Sequence, residues 1–341
     1  MKKLFIFAAA IIVAFSAASV FWVVWGLSDF DLSEHRQREL TFTVNDAVLS
    51  GTLITPKDVI APPIAIIVHG DGAQDRFSNG GYLPLIGTLA DAGIGVFSWD
   101  KAGVGTSTGN WLNQTMDDRA DEALTALQAV STLDGIKGNR VGFLGFSQAG
   151  WVLPRVASAI VPSFTVIVGG AVSWREQGSY FNRVELTSQG FSADMIEQRL
   201  AERMRDNDIV FGVSMDPSLR SEMEVERFRF VAGAYWEDST ELILNMNGPV
   251  FAIWGEDDLN VDARKDSAIF REQLMPLSDV RQVVLVKNAT HGLLRADLFN
   301  YQLTSQWPWY LRYIYLGVGR KAFAEHSLDQ ITDWILTVTE N

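Results

Sequence analysis

The sequence predicts an α/β chain built on a doubly wound, mostly parallel sheet. Two observations carry that expectation. Six short, largely apolar runs recur along the chain, the first of them unbroken, as in strands buried on both faces of a sheet. Stretches with helical spacing lie between several of them, the alternation that forms parallel β-α-β units. The 341 residues allow one large domain with insertions, and 48% of them are hydrophobic, enough for a sizeable core.

Taken in order, the chain opens with Lys2 and Lys3 and then an uncharged stretch of 24 residues from Leu4 to Leu27. As a helix it would reach about 36 Å, against a bilayer core of about 30 Å. The flanks agree, with Lys2 and Lys3 before the stretch and Asp29, Asp31 and Glu34 after it. Ser16-Ala17-Ala18 offers small residues for signal cleavage, but the apolar Val20 to Trp25 would then begin the mature protein. The expectation is an N-terminal transmembrane helix over 1–27, as an uncleaved signal anchor rather than a signal peptide. Either reading places the remainder outside the cytoplasm. That remainder holds 26 basic and 41 acidic residues, a net −15 that does not favour anionic lipid heads.

Residues 28–38 read as a polar linker, and the fold is expected over 39–170 and 249–341. Glu39 to Thr55 alternates like two antiparallel strands turning at Asn45-Asp46. The buried runs follow at Ile64–Val68, Ile94–Trp99, Val141–Leu144, Phe164–Val168, Val250–Trp254 and Val280–Val286. Thr115 with Asp118 forms a capping-box pattern ahead of Ala120, Leu124, Leu127 and Val130. Ser327 with Gln330 suggests a cap for a last helix through Trp334 and Leu336. Residues 171–248 lack strand-like runs and are dense in charge. They read as an inserted helical cap, with helices at Met195–Arg205 and Ser221–Phe230. A second insertion, Leu293 to Ala324, is rich in Trp and Tyr.

Composition excludes several functions. There is no Cys, hence no disulfide, thiolate nucleophile or Cys-ligated zinc. The four His, at 35, 69, 291 and 326, are too scattered for a His-rich metal site. No metal and no cofactor are expected. No basic run appears and the net charge is −13, so nucleic acid is not an expected partner.

Gly145-Phe146-Ser147-Gln148-Ala149-Gly150 lies between a strand and a helical pattern. That is the setting of a nucleophile elbow, G-x-S-x-G, here with Ala149 in the fifth place. A tight turn exposes the serine hydroxyl at a helix amino end, where free N–H groups favour a developing anion. Gly255-Glu256-Asp257-Asp258 follows a later strand and His291 follows the last one, the order Ser, acid, His expected of such a triad. By spacing alone, Glu256 and Asp257 compete with Asp258.

With these motifs the chain resembles the α/β-hydrolase superfamily over about residues 39–341 apart from the insertions. Gly255 to Val261 is similar to that family's G-x-x-D-x-x-V, which selects Asp258. The resemblance implies that the loop His69-Gly70-Asp71-Gly72 contributes one oxyanion-hole N–H, from Asp71, and Gln148 the other. His69 is then structural. Asp100 to Ser107 looks like the D-x-R-G-x-G-x-S stretch, with Ala102 in the place of the arginine. HGDGAQDR and DKAGVGTSTG are similar to segments of esterases, acyl-thioesterases and aminopeptidase-like hydrolases. The implied function is a serine hydrolase of carboxylic esters or thioesters, acting on a small acyl substrate. The alternatives are an aminopeptidase-like amide hydrolase, with Glu224 and Glu226 as candidates for a substrate ammonium, and a catalytically silent binding protein. Trp174, Tyr180, Phe181, Phe191, Phe211, Tyr235 and Trp236 of the cap, with Tyr301, Trp307, Trp309, Tyr310, Tyr313 and Tyr315, are expected to supply an apolar pocket.

Overall fold

The computed structural model describes residues 26–340. The expected anchor lies almost wholly outside the described residues. Among those described, no helix is long and apolar enough to cross a membrane.

Eight strands form one sheet in the order β1-β2-β4-β3-β5-β6-β7-β8. They are β1 (Arg36–Val44), β2 (Ala47–Thr55), β3 (Ile64–Val68), β4 (Gly95–Trp99), β5 (Val141–Phe146), β6 (Thr165–Val168), β7 (Val250–Gly255) and β8 (Arg281–Val286). β2 is antiparallel to β1 and to β4, and every other pairing is parallel. The first hairpin turns at Asn45, whose φ of +49° suits an Asn-Asp turn. β1 begins three residues before the alternating pattern does, inside the stretch read as linker.

The inner apolar runs are buried because both faces of the sheet are covered, while the edge strand β8 is half-buried. In β3, Ile64, Ile66 and Val68 enter one core, and Ala65 and Ile67 enter the other. Successive side chains point to opposite faces, so only a strand covered twice has no polar positions. Helices α2 (Met116–Ser131) and α3 (Ala149–Ala159) cover the first face. α1 (Leu83–Asp91) and the last helix cover the second. α2 starts at the expected box, with Thr115 and Asp118 bonded reciprocally. Its buried stripe is rotated from the one the sequence suggested. Met116, Arg119, Ala120, Ala123, Ala126 and Val130 face inward, while Leu124 and Leu127 are only partly covered. The last helix begins differently from expectation too. Its cap residue is His326 in the left-handed region, and the Ser327 hydroxyl donates to Ala324 O instead of capping.

Between β6 and β7 lies the cap, with α4 (Trp174–Ser188), α5 (Ala193–Ile209) and α6 (Val225–Ala234). The first of these was not legible as a helix. The two stems of the cap meet where Ser173 bridges Asp238. Beyond them, Ile243 and Met246 return to the main core. Pro154 has no N–H to give to Gly150, four residues earlier in α3. That carbonyl accepts the Ser239 hydroxyl at 2.9 Å, tying the returning stem to the core. After β8 comes the late insertion, with a helical turn at Ala296–Phe299 and then a ten-residue helix at Trp309–Val318. In order, α7 is Ala263–Gln273, α8 is Trp309–Val318 and α9 is Ser327–Thr339.

Ala102 leaves Asp100 without the arginine of the motif, and Arg76 takes that part. Its guanidinium bonds both Asp100 oxygens, at 3.1 and 2.8 Å, and its own N–H adds a third bond at 2.9 Å. The same guanidinium reaches Ser50 and Thr52 of β2 and Glu39 of β1. Burial opposes ionisation of Asp100, but Arg76 outweighs it and holds the pKa below the ordinary carboxylate range. Arg76→Met strands that carboxylate and should cost about 3 kcal/mol. A lower urea midpoint at unchanged slope is expected, with most of the loss recovered in Arg76→Met/Asp100→Asn. A midpoint like the wild type's for the single variant would contradict this account.

Candidate active site

The elbow is set by backbone geometry before any side chain is considered. Ser147 has φ +52°, in the left-handed region that costs a non-glycine residue on the order of 1 kcal/mol. The turn persists because its surroundings fix it. Ser147 N–H donates to Val168 O, and Gly150 N–H donates to Ser147 O, both at 2.9 Å. A Cβ on Gly145 would lie 2.5 Å from the Ala149 Cβ, and one on Gly150 would lie 2.7 Å from Ala171 O. The alanine in the fifth place is therefore tolerated because Gly145 opposite it has no side chain.

His291, in the loop after β8, bonds Asp258 through Nδ1 to Oδ2 at 2.7 Å. The Asp258 side chain is fully buried. Its other oxygen accepts the N–H groups of Asn260 and Val261, at 2.7 and 2.9 Å. Neither Glu256 nor Asp257 makes this contact. Nδ1 must carry the proton to meet a carboxylate, which leaves a lone pair on Nε2. Burial disfavours the charged imidazole, but the Asp258 charge and hydrogen bond outweigh it and raise the His291 pKa. The ring lies against Gly169, where an added Cβ would stand 3.0 Å from it. Gly169 has φ +59°, so both the turn and the imidazole require glycine there.

The loop after β3 runs beside the serine. A Cβ on Gly70 would stand 3.3 Å from the Ser147 Cβ. Two buried basic side chains hold this loop from behind. Arg119 donates to His69 O at 2.6 Å, and Lys101 Nζ donates to Gly70 O at 3.1 Å. In a planar trans peptide the C=O and N–H point opposite ways. The bond from Lys101 therefore turns the Asp71 N–H away from the core. Among the described residues, neither that N–H nor the Gln148 N–H meets a protein acceptor. The Gln148 side chain bridges, taking a bond from Arg119 and giving one to Asp71 Oδ1 at 3.3 Å.

The charges are arranged around this loop. Burial depresses the Lys101 pKa well below the ordinary lysine value, and Arg119 adds to it, while Asp71 and Glu122 oppose. Lys101 Nζ also sits 4.4 Å from the centre of the Trp111 ring. Burial raises the Glu122 pKa. The Asp71 carboxylate pairs with both terminal nitrogens of Arg227 from α6, at 2.8 and 2.5 Å. Partial burial opposes its charge, but Arg227 wins and its pKa is lowered. His69 is the structural histidine the sequence suggested. Its Nε2 meets Trp99 O at 2.5 Å, and burial pushes its pKa down to about 3.

Asp71, Ser147, Gln148 and His291 line one cleft of about 820 Å³. Of the aromatics expected around it, Trp174, Phe181, Tyr301 and Trp307 do line it. Tyr180 instead donates to Asp258 O at 2.8 Å. Phe211 and Tyr235 build a small core inside the cap with Phe228, and Phe191 packs on Leu186, Ile196 and Leu200. Trp236, Trp309, Tyr310 and Tyr313 face outward. Glu226 accepts from Asn110, and neither it nor Glu224 lines the cleft. Sequence reasoning missed Arg119, Lys101, Arg227 and Gly169. Arg119 left a trace, since it falls in helical phase with Ala123, Ala126 and Val130.

Among the described residues no cluster of His, Asp and Glu is suited to a metal ion. Residues 65–299 match the model of the Alpha/beta hydrolase family. No curated protein matches in sequence. Solved structures do. An esterase of Pyrococcus furiosus is 17% identical at a TM-score of 0.56, over 77% of this chain and 85% of that one. Est1E of Butyrivibrio proteoclasticus, with ferulic acid bound, is 16% identical at 0.53, over 88% and 96%. A proline iminopeptidase of Mycobacterium smegmatis is 16% identical at 0.55, over 89% and 99%. These likenesses establish the shared fold.

The His291–Asp258 contact has a direct consequence in titration. With four histidines, the imidazole signals can be followed separately by NMR. The His291 midpoint should lie above the ordinary value of about 6.5. In Asp258→Asn only burial remains, so it should fall below that value. A midpoint indifferent to Asp258→Asn would refute the assigned electrostatics.

Proposed function

The chain belongs to the alpha/beta hydrolase family, and on that premise we propose that it is a serine hydrolase of carboxylic esters or thioesters. The observation that carries this reading is the 2.7 Å contact of His291 Nδ1 with buried Asp258, in the cleft that also exposes the left-handed Ser147. Nε2 of His291 takes the Ser147 proton as the oxygen attacks the acyl carbonyl. The carbonyl π electrons move to oxygen, and the Asp71 and Gln148 N–H groups bind the resulting anion. Asp258 holds the reactive tautomer and stabilises the imidazolium. Collapse expels the alcohol or thiol, which takes the proton from His291. Water, deprotonated by the same nitrogen, then attacks the acyl-enzyme, and collapse frees the acid as the Ser147 oxygen leaves and takes the proton back from His291.

An uncharged acyl chain suits the cleft better than a free amino group. Phe146, Trp151, Trp174, Phe181 and Trp307 supply an apolar lining. The lining's carboxylate at Asp71 is already matched by Arg227, so it offers no uncompensated anion for an ammonium. Ser147→Ala should lower kcat/KM by roughly a thousandfold or more and abolish labelling by a fluorophosphonate. Short or medium acyl esters should be cleaved at least about tenfold faster than aminoacyl amides, the scale of one or two unfavourable polar contacts. Faster cleavage of the amides would favour the aminopeptidase-like alternative. Absent labelling of the folded wild type would favour a binding protein.

The same reading keeps Leu4–Leu27 as an uncleaved anchor, with residues from about Ser28 outside the cytoplasm. The apolar length and the Lys2-Lys3 flank support it. Intact mass and fractionation should find the full chain in the membrane. A mature chain beginning near Ser19 in the soluble fraction would replace the anchor with a signal peptide.

A further inference from the structure

The late insertion puts large aromatic side chains where the proposed reaction does not use them. On α8, Trp309 is 76% exposed, Tyr313 64% and Tyr310 48%. Their rings form one group, with Trp309 centred 6.0 Å from both Tyr310 and Tyr313. Trp309, Arg312 and Tyr313 fall at i, i+3 and i+4, on one helical face. The opposite side of α8 is buried. Leu311 joins Phe299 and Ala322 in a small core, and Tyr315 stacks edge-on against Phe299 and Trp307.

The chain reaches this helix as it leaves the apolar stretch. Gly26 approaches the α8 backbone so closely that a Cβ there would lie 2.2 Å from Gly317 O. Phe30 meets Tyr315 edge-on at 5.5 Å. Asp29 accepts the Arg320 N–H at 2.7 Å and pairs with its guanidinium at 3.1 Å. Three contacts therefore fix the end of Leu4–Leu27 against α8 and the turn that follows it. Charge follows the same geography. The domain beyond residue 27 carries −15, yet residues 298–324 contain Arg312, Arg320 and Lys321 and no acidic side chain.

We propose that the outward face of α8, with Trp309, Tyr310, Arg312 and Tyr313, seats on the surface of a lipid bilayer. This rests on the anchor reading above. An anchor ending near Leu27 brings the contacts at Gly26 and Phe30, and so α8, to headgroup level. Trp and Tyr are the side chains that favour that level, each with an apolar ring and a polar tip. Arg312, exposed on the same face, suits anionic headgroups. The seating also orients the cleft. Trp307 touches Tyr315 of α8 and lines the cleft together with Tyr301 and Leu303. The rim of the reactive cleft thus belongs to the insertion that meets the membrane, and the substrate class is an ester lipophilic enough to partition there.

The native chain has no Cys, which allows a clean test. Full-length Tyr313→Cys and Asp134→Cys, the latter in the exposed loop after α2, are labelled with a fluorophore. Each is reconstituted in vesicles of phosphatidylcholine and phosphatidylglycerol carrying a headgroup nitroxide. Roughly half of the Tyr313→Cys fluorescence should be quenched, and little of the Asp134→Cys signal, since interfacial depth is a matter of about 5–10 Å. Trp309→Asp/Tyr313→Asp should hydrolyse a long-chain ester held in vesicles about tenfold more slowly, with a water-soluble short ester within about twofold, as expected from loss of interfacial binding. Chain that floats with the vesicles while both labels quench alike overturns the seating and leaves the anchor standing. Chain that does not float overturns both. Fluorescence at Tyr313→Cys that changes with protein-to-lipid ratio instead of with nitroxide assigns the face to a second copy and overturns the proposal.

Discussion

The whole site hangs on one strained residue. Ser147 occupies a backbone region that L side chains disfavour, and the turn holds only because nothing larger than a methyl group opposes it. Gly145 makes room for Ala149, and Gly150 makes room for the chain as it leaves β6 at Ala171. That exit is itself pinned. The indole N–H of Trp151 donates to Val172 O at 2.8 Å, and that of Trp254 to Gly170 O at 2.9 Å. The segment that carries the chain into the cap is thus the wall against which the elbow is wedged. Rigidity in this stretch is what permits strain at its neighbour.

Behind the loop that faces Ser147, the fold accepts a cost of a different kind. Lys101, Arg119 and Glu122 are buried, and desolvating charged groups costs several kcal/mol each unless bonds replace their water. The bonds made in exchange are informative. Arg119 and Lys101 each spend a donor on a main-chain carbonyl, of His69 and Gly70. Greasy side chains could fill that volume, but they could not fix the plane of the Gly70–Asp71 peptide. These buried donors hold it with its N–H outward and polarise it in the sense that favours a nearby anion. On the cleft side, Arg227 clamps the Asp71 carboxylate, so the loop that would bind the oxyanion is held from both directions. The negative charge of that side chain is thereby masked from the anion its own N–H would bind.

Local pattern made the sheet legible and left the cap dim. The inner parallel strands announced themselves because burial on both faces removes most polar positions, and the elbow announced itself because the turn demands small residues at fixed offsets. His291 stood out by position alone, as the histidine in the loop directly after the last strand. What failed shared a cause. α4 is half-buried along almost its whole length and lies over a cleft, so it has no clean apolar stripe to read. Arg76 replaces the arginine missing at Ala102 from a loop some two dozen residues earlier, a substitution visible only in three dimensions. The stripe of α2 was misread because its leucines lie at the margin, while the buried positions are alanines and a charged arginine.

The aromatic residues show why composition is a poor guide to a pocket. For thirteen aromatics of the two insertions, sequence alone suggests one common purpose. The fold divides them three ways. Phe211 and Tyr235 go into the cap's own core, because a cap raised off the sheet must bury something to be stable at all. Trp174, Phe181 and Trp307 turn to the cleft. Trp309, Tyr310 and Tyr313 turn to the outside, where exposure of such rings costs solubility unless something covers them. Tyr315 joins the last two groups, with its ring against Trp307 and its hydroxyl bonded to Gly81 O at 3.1 Å. Through it, the outward face of α8 and the rim of the cleft are parts of one packed unit. A surface that positions α8 therefore positions the cleft mouth as well.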